Sequence, residues 1–158
     1  MFKDKTIVYT SGTFDMFHYN HLRMINYSRS LADILIVGVS TDELVSSYKP
    51  RPIIPFNERL QIIEALKTPD IVIPQHSLDH TELVKKLNID AFVVGDDWYG
   101  KYDYLKELGV QVFYFPYGTG VSSSNLRKTI HDSYEQHLRI ERDAKPLTVK
   151  EDKKQQIG

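Results

Sequence analysis

Short apolar runs alternate with amphipathic segments along most of the chain. Five of the runs are rich in β-branched and aromatic residues, which is typical of buried strands, and they cover residues 6–9, 34–39, 71–73, 91–94 and 110–115. The segments between them place apolar residues on one face of a helix. The residues that mark these faces are Leu22, Ile25, Tyr27 and Leu31 in the first helix, Leu60, Ile62, Ile63 and Leu66 in the second, Leu83, Val84 and Leu87 in the third, Leu105 and Leu108 in a short fourth, and Leu126 and Ile130 in the fifth.

This alternation predicts a doubly wound α/β fold, a Rossmann-like five-stranded parallel sheet with helices on both faces. Strands separated by helices pair in parallel through right-handed crossovers. A sheet covered on both faces also accounts for runs that are apolar at nearly every position. In such sheets ligands bind beyond the carboxyl ends of the strands, near the point where the strand order reverses. The segments that follow the first and fourth strands should therefore lie on the binding edge.

The end of the chain differs from the rest, which predicts two parts. Residues 132–158 carry six Lys or Arg and six Asp or Glu, with few apolar positions. We expect residues 1–131 to form the folded domain. The remainder reads as a helical extension followed by a charged tail or linker.

The composition argues against several classes of protein, namely nucleic-acid-binding, membrane-spanning and disulfide-bonded proteins. The chain has 158 residues, 41% of them apolar, no cysteine, and a net charge of −1. The balanced charge argues against strong electrostatic attraction to nucleic acid or to an anionic membrane. Without cysteine there is neither a disulfide nor a Cys-based zinc site. No apolar run approaches the length of a membrane span and no signal peptide is visible, so we expect a soluble, cytoplasmic protein.

His18 and His21 stand three residues apart where the first strand passes into the first helix. On a helix they would share a face, and Asn20 as the N-cap residue would put His21 in the first turn. Free backbone N–H groups and the positive end of the helix dipole favour an anion there. Two imidazole donors beside such a site suit phosphate chemistry. A purely structural role is the first alternative, and a metal site without an obvious third ligand is the second.

Two further segments carry candidate phosphate-binding groups. Glycines and serines in residues 118–124 precede the fifth helix, where they form either an anion cradle or a simple serine cap. Positive charges are concentrated around a proline-rich loop, at Lys49, Arg51, Arg59 and Lys67. They form either a phosphate-binding group or a solvated basic face.

Asp96, Asp97 and Trp98 follow the fourth strand directly. Adjacent carboxylates at the carboxyl edge of a sheet can bind Mg²⁺ through water, or accept hydrogen bonds from a ribose or a base. Helix capping beside one buried tryptophan is the alternative.

Taken in order, these motifs resemble those of the nucleotidyltransferase superfamily with the H-x-G-H signature. The resemblance covers about residues 5–131 and runs through "YTSGTFDMFHYNHLRMI", "ADILIVGVSTDEL", "IPFNERLQIIEALK", "FVVGDDWYGKYDYL" and "GVSSSNLRKTI". The chain looks most like the small cytidylyltransferases, and "GDDWYGKYDYL" is similar to the glycerol-3-phosphate cytidylyltransferase branch. It is unlike the adenylyltransferases of the superfamily.

The resemblance implies a CTP-dependent nucleotidyltransferase, in which a phosphorylated small alcohol attacks CTP and gives a CDP-alcohol and pyrophosphate. It implies Mg²⁺ with CTP and a homodimer. His18, His21, Lys49 and Ser122 would be catalytic, and Asn20, Arg51 and Lys67 would bind the acceptor. The residues implied to bind the nucleotide are Thr13, Phe14, Asp15, His18, His21, Asp97, Trp98, Ser122 and Arg127.

Two departures from the family pattern concern the acceptor side. The H-x-G-H glycine is Asn20 here, and the arginine that opens the last signature is Tyr117, with Arg127 as a substitute one turn into the helix. A small phosphonate is therefore an alternative acceptor to a phosphorylated alcohol. A non-catalytic nucleotide-binding or regulatory module is the hypothesis from another class, and retention of His18, His21 and Ser122 argues against it.

Overall fold

The computed structural model describes residues 4–118 and 120–144. Its centre is a five-stranded sheet with the order β3-β2-β1-β4-β5, in which every neighbouring pair is parallel. The strands are β1 (Ile7–Gly12), β2 (Ile34–Ser40), β3 (Ile71–Gln75), β4 (Ala91–Gly95) and β5 (Gln111–Phe115). All five coincide with the apolar runs of the sequence, which confirms the predicted fold class.

Five α-helices and two 3₁₀ segments connect the strands. The helices are α1 (Tyr19–Leu31), α2 (Asp42–Ser46), α3 (Phe56–Glu64), α4 (Thr81–Leu87) and α5 (Ser123–Asp143), and the 3₁₀ segments are Asp96–Trp98 and Asp103–Leu108. The predicted short fourth helix is thus a 3₁₀ segment. The five-residue α2, capped by the Thr41 hydroxyl, was not predicted.

Alternation along the strands sends apolar side chains to both faces of the sheet. Val8, Val37 and Val93 pack on one face with residues of α1 and α3. Tyr9, on the same strand as Val8, belongs to the core of the other face, with residues of α4 and the second 3₁₀ segment. Because both faces are covered, the strands are buried on each side, as the continuous apolar runs predict.

The strand order places a switch point between β1 and β4. From β1 the chain moves outward through β2 to β3, then returns past β1 to β4 and β5. The connections on the two sides of β1 diverge and leave a crevice beyond its carboxyl end. The turn after β1 and the 3₁₀ segment Asp96–Trp98 after β4 border this crevice, as predicted.

The start of α1 differs from the prediction by two residues. His18, with φ −136° and ψ 178°, is the N-cap residue, so that His21 lies at the third helical position and Asn20 at the second. The expectation that Asn20 caps the helix is wrong, because its side chain is used elsewhere. His21 does lie in the first turn, as expected.

The described part of the chain divides into two compact units, one ending at Ser123 and the other beginning at Ser124. The second unit contains the rest of α5, one continuous helix to Asp143. The boundary after residue 131 stays a prediction. Among the described residues no helix combines the length and the apolar character needed to cross a membrane.

Candidate active site

The turn between β1 and α1 has an unusual backbone. Phe14 and Met16 adopt φ values of +53° and +49°, a region that non-glycine residues rarely enter. The Phe14 ring folds back beneath Gly12, where a Cβ atom would lie 3.2 Å from it, and is buried in the core. The buried ring anchors a backbone that would otherwise be unfavourable, and it holds the turn in place beneath the two histidines.

The rings of His18 and His21 stack, with centroids 3.6 Å apart and planes inclined by 22°. The His18 backbone N–H donates to Nδ1 of His21 over 3.3 Å. Because Nδ1 accepts this bond, the neutral ring of His21 carries its proton on Nε2. Both ring nitrogens of His18 are buried and make no well-formed hydrogen bond with the described residues, although the side chain faces the backbone N–H of His21 in a capping-box arrangement.

Both imidazoles are neutral near pH 7. Burial lowers the pKa of His21 to about 3; neighbouring His18 and the Lys49 ammonium add to the fall, and Asp15 opposes it. Burial also lowers the pKa of His18. The pair therefore offers hydrogen bonds to a ligand and carries no positive charge.

Lys49 supplies the positive charge of this part of the site. Its ammonium favours a lower pKa for His21 and opposes the rise in the pKa of Asp97 that burial causes, so its charge acts on both side chains. The same Nζ lies 5.4 Å from the centre of the Tyr48 ring. Tyr48 in turn meets Trp98 edge to face, at 5.7 Å between centroids. Tyr48 thus joins Lys49 to the segment after β4.

Asp15 fixes the loop that carries Arg51. Its two carboxylate oxygens accept the backbone N–H groups of Ile53 and Ile54, each over 2.9 Å, and the residue is buried. Asp15, which was predicted to be an orienting carboxylate, thus holds the loop before α3. Arg51 lies on that loop with a mostly exposed side chain, 3.5 Å from the carboxylate of Asp42.

Arg59 lies at the centre of the framework beneath the site. Its fully buried guanidinium donates to the carbonyl oxygens of Thr13 (2.6 Å), Ser40 (2.8 Å) and Ile54 (2.8 Å) and pairs with Asp42 over 2.8 Å. Burial raises the pKa of Asp42, but the Arg59 hydrogen bond, the N–H of Phe56 and the guanidinium charges outweigh it and lower the pKa. Arg59 therefore does not belong to the solvated basic face that was the alternative for this cluster.

The loop of Ser122 is held at both sides. Asn20 donates from Nδ2 to the carbonyl oxygen of Val121 over 2.6 Å, and the Ser123 hydroxyl donates to the carbonyl oxygen of Asp15 over 2.6 Å. Ser122 lies between these two anchors, which fasten it to the turn that carries the histidines. Thr119, part of the same predicted motif, lies outside the described residues.

Gly95 allows two side chains to close over the end of β4. A Cβ atom there would lie 2.2 Å from the Tyr117 ring and 2.5 Å from Oδ1 of Asp97. Burial raises the pKa of Asp97, while its own backbone N–H and Lys49 act in the opposite direction. The Tyr117 hydroxyl reaches Sδ of Met24 at 3.3 Å, so this ring faces the core.

A shallow pocket of about 280 Å³ opens on the far side of Trp98. Its walls are Leu78, Asp79, Trp98, Lys101, Tyr102 and Tyr104. The Trp98 ring contacts both the Tyr48 ring and the Tyr102 ring, each with 5.7 Å between centroids, so the pocket wall is continuous with Tyr48 through one tryptophan. Sequence reasoning missed Tyr48, Tyr102 and Tyr104, which carry no motif of their own.

Comparisons with known proteins show the family of the chain. A family model described as cytidylyltransferase-like matches residues 9–129. The chain belongs to the cytidylyltransferase-like family. It is similar to glycerol-3-phosphate cytidylyltransferases of Bacillus spizizenii, at 38% identity over 77% of this chain and 94% of that protein, and of Bacillus subtilis, at 35% identity over 78% and 95%. The family resemblance of the sequence is confirmed.

Further similarities extend to other members of this family and to a solved structure. An ethanolamine-phosphate cytidylyltransferase of Arabidopsis thaliana is 40% identical over 57% of this chain and 23% of that protein. The structure of a lipopolysaccharide core biosynthesis protein from Thermoplasma volcanium is 27% identical, with a TM-score of 0.61, over 74% of this chain and 99% of that one. This structure supports the fold.

The two departures from the family pattern have clear structural settings. Both ends of the Asn20 amide are engaged, since Nδ2 bonds to Val121 and Oδ1 accepts from Arg23 over 3.2 Å. Tyr117 fills the space above Gly95 and points inward. Both side chains therefore make structural contacts in the candidate site.

Two predicted site residues gain no support from the structure. Lys67 precedes β3 by four positions, and its neighbour Thr68 contacts Asn26 and Arg29 in the second half of α1. This is the amino-terminal edge of the sheet, so the structure gives no support to Lys67 as an acceptor contact. Arg127 lies on α5 in the second unit, and its contact with the nucleotide stays a prediction.

Proposed function

We propose that the chain is a cytidylyltransferase that transfers CMP from CTP to a small phosphorylated alcohol, releasing a CDP-alcohol and pyrophosphate. The observation that carries this proposal is the stacked, neutral pair of His18 and His21 at the start of α1. The charge of Lys49 acts on His21 of this pair, and the Ser122 loop is fastened to the same turn. The names of the relatives that span most of this chain support the same activity.

The proposed reaction depends on the positioning of the two substrates and needs no covalent enzyme intermediate. An oxygen of the acceptor phosphate attacks the α-phosphorus of CTP in line and forms a new P–O bond. The bond from the α-phosphorus to the oxygen bridging to the β-phosphorus breaks, and that oxygen leaves with the electron pair as part of pyrophosphate. Catalysis then consists of holding both phosphates in line and stabilising the negative charge of the crowded oxygens.

His18, His21 and Lys49 stabilise that charge. With its pKa near 3 and its proton on Nε2, His21 donates a hydrogen bond at neutral pH without transferring a proton. His18 has both ring nitrogens without a well-formed hydrogen bond to the described residues, so one of them donates to a phosphate oxygen. Free N–H groups in the first turn of α1 add to the attraction.

The remaining ligand contacts follow the shape of the crevice. Backbone N–H groups at Thr13 and Phe14, with Ser122, hold the triphosphate, and Asp15 keeps the adjoining loop closed. Asp97 and Trp98 lie beside the nucleoside. The acceptor enters from the pocket behind Trp98, with Arg51 as a counter-charge. Asn20 as an acceptor contact stays a prediction.

Mg²⁺ enters with CTP in this proposal. The phosphate oxygens of CTP would hold the ion, and it would neutralise their charge. In the described part of the chain no three His, Asp or Glu side chains converge on one point. The homodimer and the cytoplasmic location stay predictions.

A pyrophosphate-release assay with a panel of acceptors tests the proposal. CTP with glycerol 3-phosphate, ethanolamine phosphate or a small phosphonate should release pyrophosphate with at least one acceptor, and should release none without an acceptor. CTP binding measured by calorimetry, without pyrophosphate from any acceptor, would point to the non-catalytic module instead.

A further inference from the structure

Tyr48 is held by contacts with three segments of the chain. Its backbone N–H and that of Lys49 both donate to the carbonyl oxygen of Val45, over 3.2 and 3.0 Å, which fixes the chain where α2 ends. The Tyr48 ring meets the Trp98 ring edge to face, with 5.7 Å between centroids and 71° between planes. Burial raises the pKa of Tyr48, and a side-chain hydrogen bond with Thr13 acts in the opposite direction. The ring thus has a defined position between the turn after β1 and the segment after β4.

The Lys49 ammonium lies over this ring. Its Nζ is 5.4 Å from the ring centre, within the range of a cation–π contact. A lysine has a flexible four-carbon stem, and it loses much rotamer freedom when its ammonium is fixed in one place. An aromatic face that other residues already hold offers such a place. The charge that lies over the Tyr48 ring is also the one that acts on His21 and on Asp97.

We propose that Tyr48 is a positioning residue for the transfer reaction, because its ring holds the Lys49 ammonium where it meets the phosphates of the nucleotide. This inference rests on the proposed function, since it takes Lys49 as the cation that stabilises the reacting phosphates. Tyr48 acts through Lys49 and touches neither substrate. Stabilisation of a transition state depends on charges that are already in place, so a displaced ammonium costs rate even when it stays within the site.

The ring of Tyr48, rather than its hydroxyl, has this role. A cation is attracted to the face of an aromatic ring, and the edge-to-face contact with Trp98 also needs a ring. The conservative variant Tyr48→Phe should therefore retain kcat/KM for CTP within about twofold of wild type. Tyr48→Leu keeps an apolar side chain without a ring, and it should lower kcat/KM about tenfold. The matched control is Tyr99→Leu, because Tyr99 is 78% exposed and packs against Tyr114; it should change kcat/KM less than twofold.

A double-mutant cycle with Lys49→Met separates positioning from support of the fold. Tyr48→Leu should lower kcat/KM about tenfold in the wild-type background and less than about twofold in the Lys49→Met background, which has no ammonium left to misplace. A loss caused by damage to the fold would be the same in both backgrounds. Equal fold-losses in the two backgrounds would therefore overturn the inference. A loss in Tyr48→Phe as large as that in Tyr48→Leu would overturn it as well.

The proposed function can fail independently of this inference. It fails if wild-type protein releases no pyrophosphate with any acceptor. The same cycle is then measured as the Kd for CTP with Mg²⁺ by calorimetry. The inference requires weaker binding to Tyr48→Leu than to wild type and Tyr48→Phe, and no such difference in the Lys49→Met background. Equal affinity of wild type and Tyr48→Leu for CTP would contradict it.

Discussion

His18 and His21 differ in how far the fold depends on them. The ring of His18 makes no well-formed hydrogen bond with the described residues, whereas His21 accepts one from the backbone and packs against Phe14 and Phe17. His18→Ala should therefore reduce kcat about 100-fold, which corresponds to roughly 3 kcal/mol of lost transition-state stabilisation. Its melting temperature should stay close to that of wild type.

The matched control is Tyr19→Ala, because Tyr19 is the exposed neighbour of His18. It should leave kcat within about twofold of wild type. A kcat for His18→Ala near the wild-type value would show that His18 does not stabilise the transition state.

The protonation of His21 is a second residue-level prediction. Nitrogen-15 spectra at pH 7 should show a neutral ring with its proton on Nε2, and this form should persist at pH 5 because the pKa is about 3. A folded pKa below the unfolded value of about 6.5 stabilises the native state above pH 6.5, and this contribution is lost as the pH falls toward 3. Titration of the His21 ring between pH 6 and 7 would contradict this account.

Asn20 allows the sequence and the structure to be tested against each other. The sequence assigns it to the acceptor, but its amide holds the carbonyl oxygen of Val121 beside Ser122. From the structure we expect Asn20→Gly and Asn20→Ala to raise the KM for CTP more than the KM for the acceptor. Steady-state kinetics with both substrates varied decide the matter, and a change confined to the acceptor KM would restore the sequence-based role.

At this scale the sequence identified the histidine pair from its spacing and from the strand before it. It did not show that Asp15 binds the N–H groups of Ile53 and Ile54, or that Asn20 reaches Val121. These partners lie 38 to 101 positions away along the chain, and no local pattern encodes them.

At the scale of elements, Arg59 ties the turn after β1 to β2, α2 and the loop before α3. Arg59→Met would leave the Asp42 carboxylate and three carbonyl oxygens without this donor. We expect the free energy of unfolding to fall by about 3–5 kcal/mol, the usual cost of breaking a buried ion pair. Chemical denaturation measures this change.

Arg51→Ala is the control, because Arg51 faces the same carboxylate from an exposed position. Its effect should stay below about 1 kcal/mol. Equal effects of the two variants would mean that burial of the Arg59 guanidinium does not matter to stability.

The sequence predicted elements correctly where burial produces a pattern of apolar residues. It failed where contacts between distant parts of the chain decide the boundary of an element. The five strands are apolar runs of β-branched residues, so their positions were readable. The start of α1 was misplaced because the Asn20 side chain, a good cap in isolation, bonds to a distant carbonyl. The segment Asp103–Leu108 packs Leu105 into the core as a helix would, but it is too short for periodicity to separate a 3₁₀ from an α conformation.

For the whole molecule, alternation of strands and helices sufficed to predict a parallel sheet, and the resemblance assigned the phosphate side of the proposed site to the turn after β1. The pocket behind Trp98 could not be predicted, because it joins residues from β3–α4 and from the 3₁₀ segments. Which walls meet depends on the strand order, and that order places β4 beside β1.

The choice of nucleotide is a property of the complete crevice. We expect CTP to bind more tightly than ATP, because the segment Gly95–Trp98, which the proposal places beside the base, matches the cytidylyltransferase pattern and Tyr117 closes the space above Gly95. Calorimetry with each nucleotide and Mg²⁺ measures the difference. Tighter binding of ATP than of CTP would contradict the expected preference for the cytosine base.

The central claim is that CMP passes directly from CTP to a phosphorylated alcohol. Phosphorus-31 spectra of CTP, Mg²⁺ and glycerol 3-phosphate, recorded during turnover, test it most directly. The account predicts a CDP-alcohol and pyrophosphate in equal amounts, with both absent when His18→Ala replaces wild type on the same time scale. Formation of CMP or CDP by hydrolysis, or no change in CTP with any phosphorylated alcohol or phosphonate, would contradict it.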